Sequence, residues 1–154
     1  MFGMAVAEPL FVIRSLEASD HAAYVALVDQ FRPPPTGFTA QMDFEAVRRD
    51  VLASGRVWVC AQGAELVGTV TVHVEQKFIH GGARYARVED LFVAPKWRNR
   101  GLAGMLLDEA LRYCRDPVNR IRKVSLTCAD ELAPFYERHG FSNRQNDVSL
   151  LTEC

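Results

Sequence analysis

Apolar positions along the chain change their period several times, and each change marks an element. Phe11-Val12-Ile13-Arg14 is a short, mostly apolar run and predicts a first strand. Ser19-Asp20 then offers side-chain oxygens for a helix start, and Ala22, Ala23, Val25, Ala26, Leu27 and Val28 supply a broad apolar helical face. Pro33-Pro34-Pro35-Thr36-Gly37 breaks that helix, because each proline fixes φ and removes a backbone donor. Phe44, Val47, Val51 and Leu52 fall at helical spacing, and Gly55 is expected to cap this second helix.

The period then drops to two. Val57-Trp58-Val59-Cys60-Ala61 predicts a strand, Gln62-Gly63-Ala64-Glu65 a hairpin turn, and 66–75 the returning strand. Val70, Val72 and Val74 alternate there with Thr69, Thr71 and His73, so one face is apolar. Gly81-Gly82 marks a loop, and 88–93 a further strand stopped by Ala94-Pro95. From Gly101 to about Arg115 the period is helical again, with Ala103, Leu106, Leu107, Ala110, Leu111 and Cys114 as the buried stripe. A strand at 124–128, a short helix at 133–139 stopped by a left-handed Gly140, and a last strand at 148–151 complete the chain. Strand runs followed by strand-helix-strand predict one α/β (α+β) domain over 1–154, a mixed sheet with helices on both faces.

Composition adds exclusions. Hydrophobic residues at 49% and charged residues at 24% describe a globular chain, which argues against disorder, collagen and coiled coil. Eighteen basic against nineteen acidic residues give a net charge of -1, so no bulk attraction to nucleic acid or an anionic membrane is expected. Local basic clusters remain compatible with that total. No apolar run reaches the roughly 18 residues needed to span a bilayer. The opening 1–7 lacks a basic leader region, and Leu151-Thr152-Glu153-Cys154 is no sorting address, so a cytoplasmic protein is expected. Arg14, His21 and Ala22 loosely echo an organelle-import pattern, but a helix start explains the segment better. Cys60, Cys114, Cys128 and Cys154 are scattered with no CxxC pair. Buried thiols are expected rather than a disulfide framework, and no metal site is expected.

One stretch carries chemistry by position. Arg98-Asn99-Arg100-Gly101-Leu102-Ala103-Gly104 follows a strand and opens the long helix. A helix N-terminus has unpaired N–H groups and partial positive charge, and a glycine turn lets a pyrophosphate approach it. Basic residues and glycine also simply fill exposed turns, so spacing alone leaves both readings open. The stretch is neither a Walker A loop nor a GxGxxG fingerprint.

Arg98-x-x-Gly101-x-Ala103 resembles the Q/R-x-x-G-x-G/A pattern of the GCN5-related N-acetyltransferases (GNAT). About 30 residues on, Ala133-Pro134-Phe135-Tyr136-Glu137-Arg138-His139-Gly140-Phe141 is similar to their FYEKxGF segment. The element order fits as well, so the resemblance covers nearly the whole chain. A narrower likeness is carried by Lys77-Phe78-Ile79-His80, Arg84, Arg87-Val88-Glu89-Asp90 and Gly140-Phe141-Ser142-Asn143, which resemble the glucosamine 6-phosphate N-acetyltransferase family.

That resemblance implies a GNAT fold with a mostly antiparallel sheet and a splayed central strand pair. It implies acetyl-coenzyme A as donor, D-glucosamine 6-phosphate as acceptor, and a homodimer whose acceptor site draws on both subunits. The donor would lie along Leu91, Phe92 and Val93, with its pyrophosphate on Arg98, Asn99, Arg100, Gly101, Leu102, Ala103 and Gly104, and with Leu132, Tyr136 and Arg138 nearby. The backbone N–H of Leu91 would meet the acetyl carbonyl, and Tyr136 would protonate the leaving thiolate. Glu89 would steer the ammonium and accept its proton, and Asp90 would bond sugar hydroxyls. Glu89 and Asp90 are adjacent on a strand, so they face opposite ways unless a bulge intervenes. The alternative is that one of them only satisfies strand-end backbone or pairs with Arg87. Lys77, His80, Arg84 and Arg87 would attract the sugar phosphate, and Thr36 lies in the loop the family folds over its acceptor.

Three departures from the family pattern stand out. Leu132 replaces an asparagine common in the coenzyme-facing turn. Ala129 replaces an acidic residue some relatives place near the amine; a position serving through its carbonyl tolerates this. The last strand lacks an arginine some relatives carry, and Arg144 is the nearest substitute. Two other functions compete with this one. One is acetyl transfer to another small amine or a protein amine; the other is coenzyme A binding without catalysis.

Overall fold

The computed structural model describes residues 10–33, 41–143 and 149–153. In chain order these form β1 (Val12–Ser15), α1 (His21–Phe31), α2 (Phe44–Ala53), β2 (Gly55–Gln62) and β3 (Glu65–Gln76). A single distorted turn, α3 (Ile79–Gly82), leads to β4 (Arg84–Val93), α4 (Leu102–Arg115), β5 (Ile121–Thr127), α5 (Ala133–Arg138), β6 (Ser142–Asn143) and β7 (Ser149–Glu153). The strands make one sheet in the order β1-β2-β3-β4-β5-β7-β6. Every neighbouring pair is antiparallel except β4 and β5, which run parallel because α4 crosses between them.

Alternation along the strands divides the core in two. Trp58, Cys60, Val70, Val72, Ala86, Val88 and Val124 pack beneath the buried stripe of α4, which is Leu102, Leu106, Leu107, Ala110, Leu111 and Cys114. Val57, Val59, Ala61 and Phe92 point the other way, onto Leu27 of α1 and Phe44 of α2. The alternation predicted helices on both faces, and the sheet has them. The polar face of β3 is a different matter: Thr69 and Thr71 are buried too. Thr69 stays satisfied by donating to the Trp58 carbonyl at 3.0 Å. That face is polar because it lines a site, not because water covers it.

Two predicted caps serve other ends. Asp20 precedes α1, yet its carboxylate does not cap the helix. It accepts both Nη atoms of Arg14, at 2.7 and 2.8 Å, and the Glu17 N–H at 2.8 Å, which ties β1 to the start of α1. The Arg14 hydrogen bonds hold this buried carboxyl below its usual range. Gly55 does not cap α2 in a left-handed conformation; Ser54 occupies the cap and Gly55 opens β2. A Cβ on Gly55 would meet the Val72 carbonyl oxygen at 2.4 Å and that of Val51 at 3.2 Å. Glycine stands there for close approach. Gly140, predicted left-handed, has positive φ, as do Gly63 in the hairpin turn and Gly101 before α4. Val148 lies outside the described residues, and β6 is a strand the periodicity missed because it is two residues long.

Cys60 and Cys114 are buried thiols, and Cys128 is half-buried. No helix among the described residues is long and apolar enough to cross a membrane.

Gly55→Ala pits a new methyl against two backbone carbonyls that no rotamer change can move. We expect a loss of roughly 2 kcal/mol, read as a drop in melting temperature of roughly 4–8 °C. An unchanged melt would show that β2 and β3 slide apart without penalty.

Candidate active site

β4 is irregular at one point, and the site forms around it. Thr71 pairs with Glu89 and Thr69 with Phe92, so Val70 alone stands opposite Asp90 and Leu91. This is a β-bulge. Asp90 carries it with φ +52, a left-handed conformation that Asp tolerates better than most residues. On its other edge, β4 pairs with β5 only from Arg84 opposite Ile121 to Arg87 opposite Ser125. Beyond that the two strands part, and among the described residues β4 from Val88 to Val93 has no strand neighbour on the β5 side. A free strand edge can pair with an extended ligand.

The bulge turns both carboxylates toward the His73 and Thr71 face, with different partners. Glu89 receives Arg87 Nε on Oε1 at 2.5 Å and faces His73 Nε2 from Oε2 at 3.4 Å. Asp90 lines a cavity of about 230 Å³ under α1 and α2, with Tyr24, Thr71 and His73 on its polar side and Leu16, Val28, Met42 and Phe44 on its apolar side. Asp90 keeps solvent access, yet burial of its carboxyl pushes it above the usual range. The charge of Glu89 adds to that shift, while His73 and Arg32 oppose it. Burial also pushes the Tyr24 phenol up, with its hydroxyl 3.4 Å from the Thr69 hydroxyl.

The free edge of β4 leads to the loop before α4. Asn99 and Gly101 have φ +61 and +76, and α4 starts with no side-chain cap. Its first-turn N–H groups are therefore open to an anion. A Cβ on Gly101 would touch nothing within 4 Å, so glycine is needed there for conformation, not space. Leu102 is buried and offers only its backbone; Ala103 is half-buried. Gly104 lies against the His139 ring, 3.5 Å from where its Cβ would be. Arg98, Asn99 and Arg100 are exposed. Arg98 folds back, its Nε donating to the Val93 carbonyl at 3.0 Å and its guanidinium lying over Phe92. Arg100 stacks over Trp97.

α5 approaches from the far side of the splay. Tyr136 is buried between Phe135 and Phe141, both in edge contact with its ring. Burial pushes its phenol up, and nearby Cys128 adds to the shift, so the hydroxyl keeps its proton at neutral pH. Arg138 and Leu132 are exposed. Ala129 is exposed, and its carbonyl accepts the Leu132 N–H at 2.9 Å.

Lys77, His80 and Arg84 sit together at the end of the β3–β4 hairpin, away from Asp90. Arg87 adjoins Glu89. Lys77 pairs with Glu75 at 2.6 Å, and Arg84 gives a guanidinium N–H to the Asn119 carbonyl at 2.8 Å. His80 is exposed in the α3 turn with φ +52. Thr36 and Arg144 lie outside the described residues. Residues not anticipated also face the site: His73, Tyr24 and Thr71, and, with Tyr85 and Ser125, Lys123 in a second cavity of about 420 Å³. Their signal was the Thr69-Thr71-His73 alternation, whose meaning depends on what packs above it. No group of three or more His, Cys, Asp or Glu side chains suited to a metal occurs among the described residues.

A bulged strand, parted from its neighbour on one side, thus runs toward an uncapped helix N-terminus. The model of the acetyltransferase (GNAT) family matches residues 21–141, and the chain belongs to that family. A protein of Oryza sativa subsp. japonica named "Probable glucosamine 6-phosphate N-acetyltransferase 2" is 33% identical over 90% of this chain and 86% of its own. The glucosamine 6-phosphate N-acetyltransferase of Trypanosoma brucei brucei is 26% identical over 90% of this chain and 93% of its own. The crystal structure of glucosamine-6-phosphate N-acetyltransferase from Arabidopsis thaliana superposes with a TM-score of 0.78 at 23% identity, covering 88% of this chain and 94% of that one.

Asp90 tests the bulge electrostatically. A carboxyl raised in the folded state binds its proton more tightly there than in the unfolded chain, so its ionisation erodes stability as pH rises above 3.8. Asp90→Asn should therefore melt higher than the parent at pH 7. Thermal melts should show that gap closing as the pH falls below 3.8, where both side chains are neutral.

Proposed function

We propose that the protein transfers the acetyl group of acetyl-coenzyme A to the amine of D-glucosamine 6-phosphate, giving N-acetyl-D-glucosamine 6-phosphate and coenzyme A by direct attack in a ternary complex. The observation that carries this reading is the bulge at Asp90. It sets Glu89 and Asp90 on the acceptor side of a strand whose free edge leads to an open helix N-terminus. The similarity to glucosamine 6-phosphate N-acetyltransferases along 90% of the chain supports the choice of acceptor.

Bound acetyl-coenzyme A supplies a polarisable thioester carbonyl and a thiolate leaving group. The protein residues do the rest. The first-turn N–H groups of α4 hold pyrophosphate, with Asn99 beside them and Arg98 and Arg100 swinging off Phe92 and Trp97 to close over it. Phe92 and Val93 offer the strand edge, and the Leu91 N–H sits at the bulge to stabilise charge developing on the carbonyl oxygen. Leu132 and Arg138 border the same groove. Glu89 attracts the ammonium and takes its proton; Asp90 orients the acceptor. Tyr136, buried and protonated, donates toward the departing sulfur.

Strand geometry limits which cations can help. Arg84 and Asp90 are six residues apart on β4, about 20 Å at a strand's rise per residue. Lys77, His80 and Arg84 therefore cannot share one small ligand with Asp90 in a single subunit. They join the acceptor only if a second copy brings its own β3–β4 end to the site, which is the homodimer this reading includes. Arg87 acts from within the subunit. Thr36, Ala129 and Arg144 complete the acceptor surround we propose.

A second reading, transfer to another small amine, is favoured by the apolar wall of the cavity beside Asp90. Product analysis with acetyl-coenzyme A and a panel of amines decides between them. Turnover of glucosamine 6-phosphate well above the other amines is expected; robust turnover of a different amine alone would overturn the acceptor.

Two substitutions test the roles. Tyr136→Phe should lower kcat by roughly 10²–10³-fold with little change in the KM for acetyl-coenzyme A. Glu89→Gln should slow the reaction near pH 7 and recover as rising pH deprotonates the amine in solution. A pH–rate profile parallel to the parent's would remove Glu89 from proton transfer.

A further inference from the structure

One side chain on the acceptor side has chemistry that this mechanism leaves unused. His73 stands on β3 in register with Arg87 and reaches across to Glu89, Nε2 to Oε2 at 3.4 Å. Arg87 already occupies the other oxygen of Glu89. His73 lines both cavities, the polar one of about 420 Å³ and the more apolar one of about 230 Å³ that Asp90 shares. Both imidazole and carboxylate are about one-third exposed, so each has a route to water. The titratable and charged groups around His73 are Glu75 on its own strand, Tyr85, Arg87, Glu89 and Asp90 on β4, Lys123 on β5, Tyr24 on α1 and Arg48 on α2.

A carboxyl group holds a proton only briefly at neutral pH, whereas an imidazole exchanges protons in that range. An amine must lose two protons during acetylation: one before attack and one after the new C–N bond forms. A carboxylate that keeps its first proton is unavailable for the second.

Resting on the acetyl-transfer reading above, we propose that His73 is a positioning and proton-relay residue acting through Glu89. The ammonium N–H bond breaks as Glu89 Oε2 takes the proton, leaving a neutral amine with its lone pair. That O–H bond then breaks as Nε2 of the neutral imidazole takes the same proton. Glu89 is a carboxylate again, ready for the second proton, and the imidazolium rests beside it as an ion pair. The imidazolium releases its proton to solvent through the open cavity. No oxidant, reductant or further reactant is needed. Arg87 keeps the carboxylate turned toward His73 by holding Oε1.

The test compares parent, His73→Gln, His73→Phe, Glu89→Gln and the His73→Gln/Glu89→Gln double variant, each first checked for a cooperative melt. Near pH 7 both His73 variants should lose roughly tenfold in kcat. The deficit should shrink to about twofold at high pH, where the amine arrives unprotonated, with the KM for acetyl-coenzyme A unchanged. Because His73 acts through Glu89, the double variant should be no slower than Glu89→Gln alone. A pH-independent loss, or losses that multiply in the double variant, would overturn the relay. An activity-independent reading comes from NMR of the His73 ring. Glu89→Gln should move its imidazole resonances, since the carboxylate lies against Nε2; unchanged resonances would overturn the contact. Failure of the acetyl-transfer reading appears separately, as no amine turnover by the parent protein, and removes the relay with it. Failure of the relay alone leaves parent turnover intact.

Discussion

The site depends on a single backbone irregularity. At Asp90 the chain enters the left-handed region with a non-glycine residue, which costs about 1–2 kcal/mol. Regular strand geometry would send Glu89 and Asp90 to opposite faces and leave every β4 position paired to β3. The bulge instead places two residues, Asp90 and Leu91, against Val70 alone. Strain at one residue is tolerable because both flanks are anchored. On the α4 side, Val88 and Val93 lie in the larger core cluster; on the other, Phe92 packs against Phe31. Those anchors leave the backbone between them little freedom to relax.

The irregularity also arranges charge. A net charge of -1 over the chain suggests neutrality, but the site is not neutral in detail. Glu89 is matched by Arg87 and His73, while Asp90, one residue on, is opposed mainly by its own burial and by Glu89. Two adjacent carboxyls thus have different surroundings: ion-pair contacts hold Glu89, while burial pushes Asp90 up. The donor side carries the complementary sign through backbone N–H groups rather than side chains. Arg98 and Arg100 lie folded against Phe92 and Trp97.

Much of this was legible in the sequence, and the failures share a cause. The stripe of α4, its start at Gly101, the left-handed stop at Gly140 and the helices on both faces follow from local pattern, which neighbours in sequence decide. Gly55 was misassigned because its reason is the Val72 carbonyl, a contact made only when β3 folds against β2. Asp20 sits at the expected helix start, but Arg14 claims its carboxylate from the preceding strand. Lys77, Arg84 and Arg87 look like one cluster when written as letters, yet Lys77 and Arg84 sit at the hairpin end while Arg87 lies beside Glu89, and three different partners hold them. His73 was visible only as one polar member of an alternating run. What makes it chemistry is the antiparallel register that sets it opposite Arg87 and within reach of Glu89. Local rules locate elements; which side chains meet is settled by register.

The donor and acceptor halves must also be held in fixed relation, and the packing of α5 on α4 does this. His139 closes α5, accepts contact from the Phe135 ring, and meets Asp108 of α4 at 2.9 Å. The absence of a side chain at Gly104 lets the same ring lie against the first turn of α4. Tyr136, three residues before His139, is therefore registered against the open N–H groups by a short rigid path. On the other flank β4 carries Glu89 on the strand whose free edge runs toward that turn. The phenol and the carboxylate thus both refer to the start of α4, one through a packed imidazole and one through a strand. A change in α4 would displace both together, and in the reaction proposed above this common reference is what would keep acid and base in step.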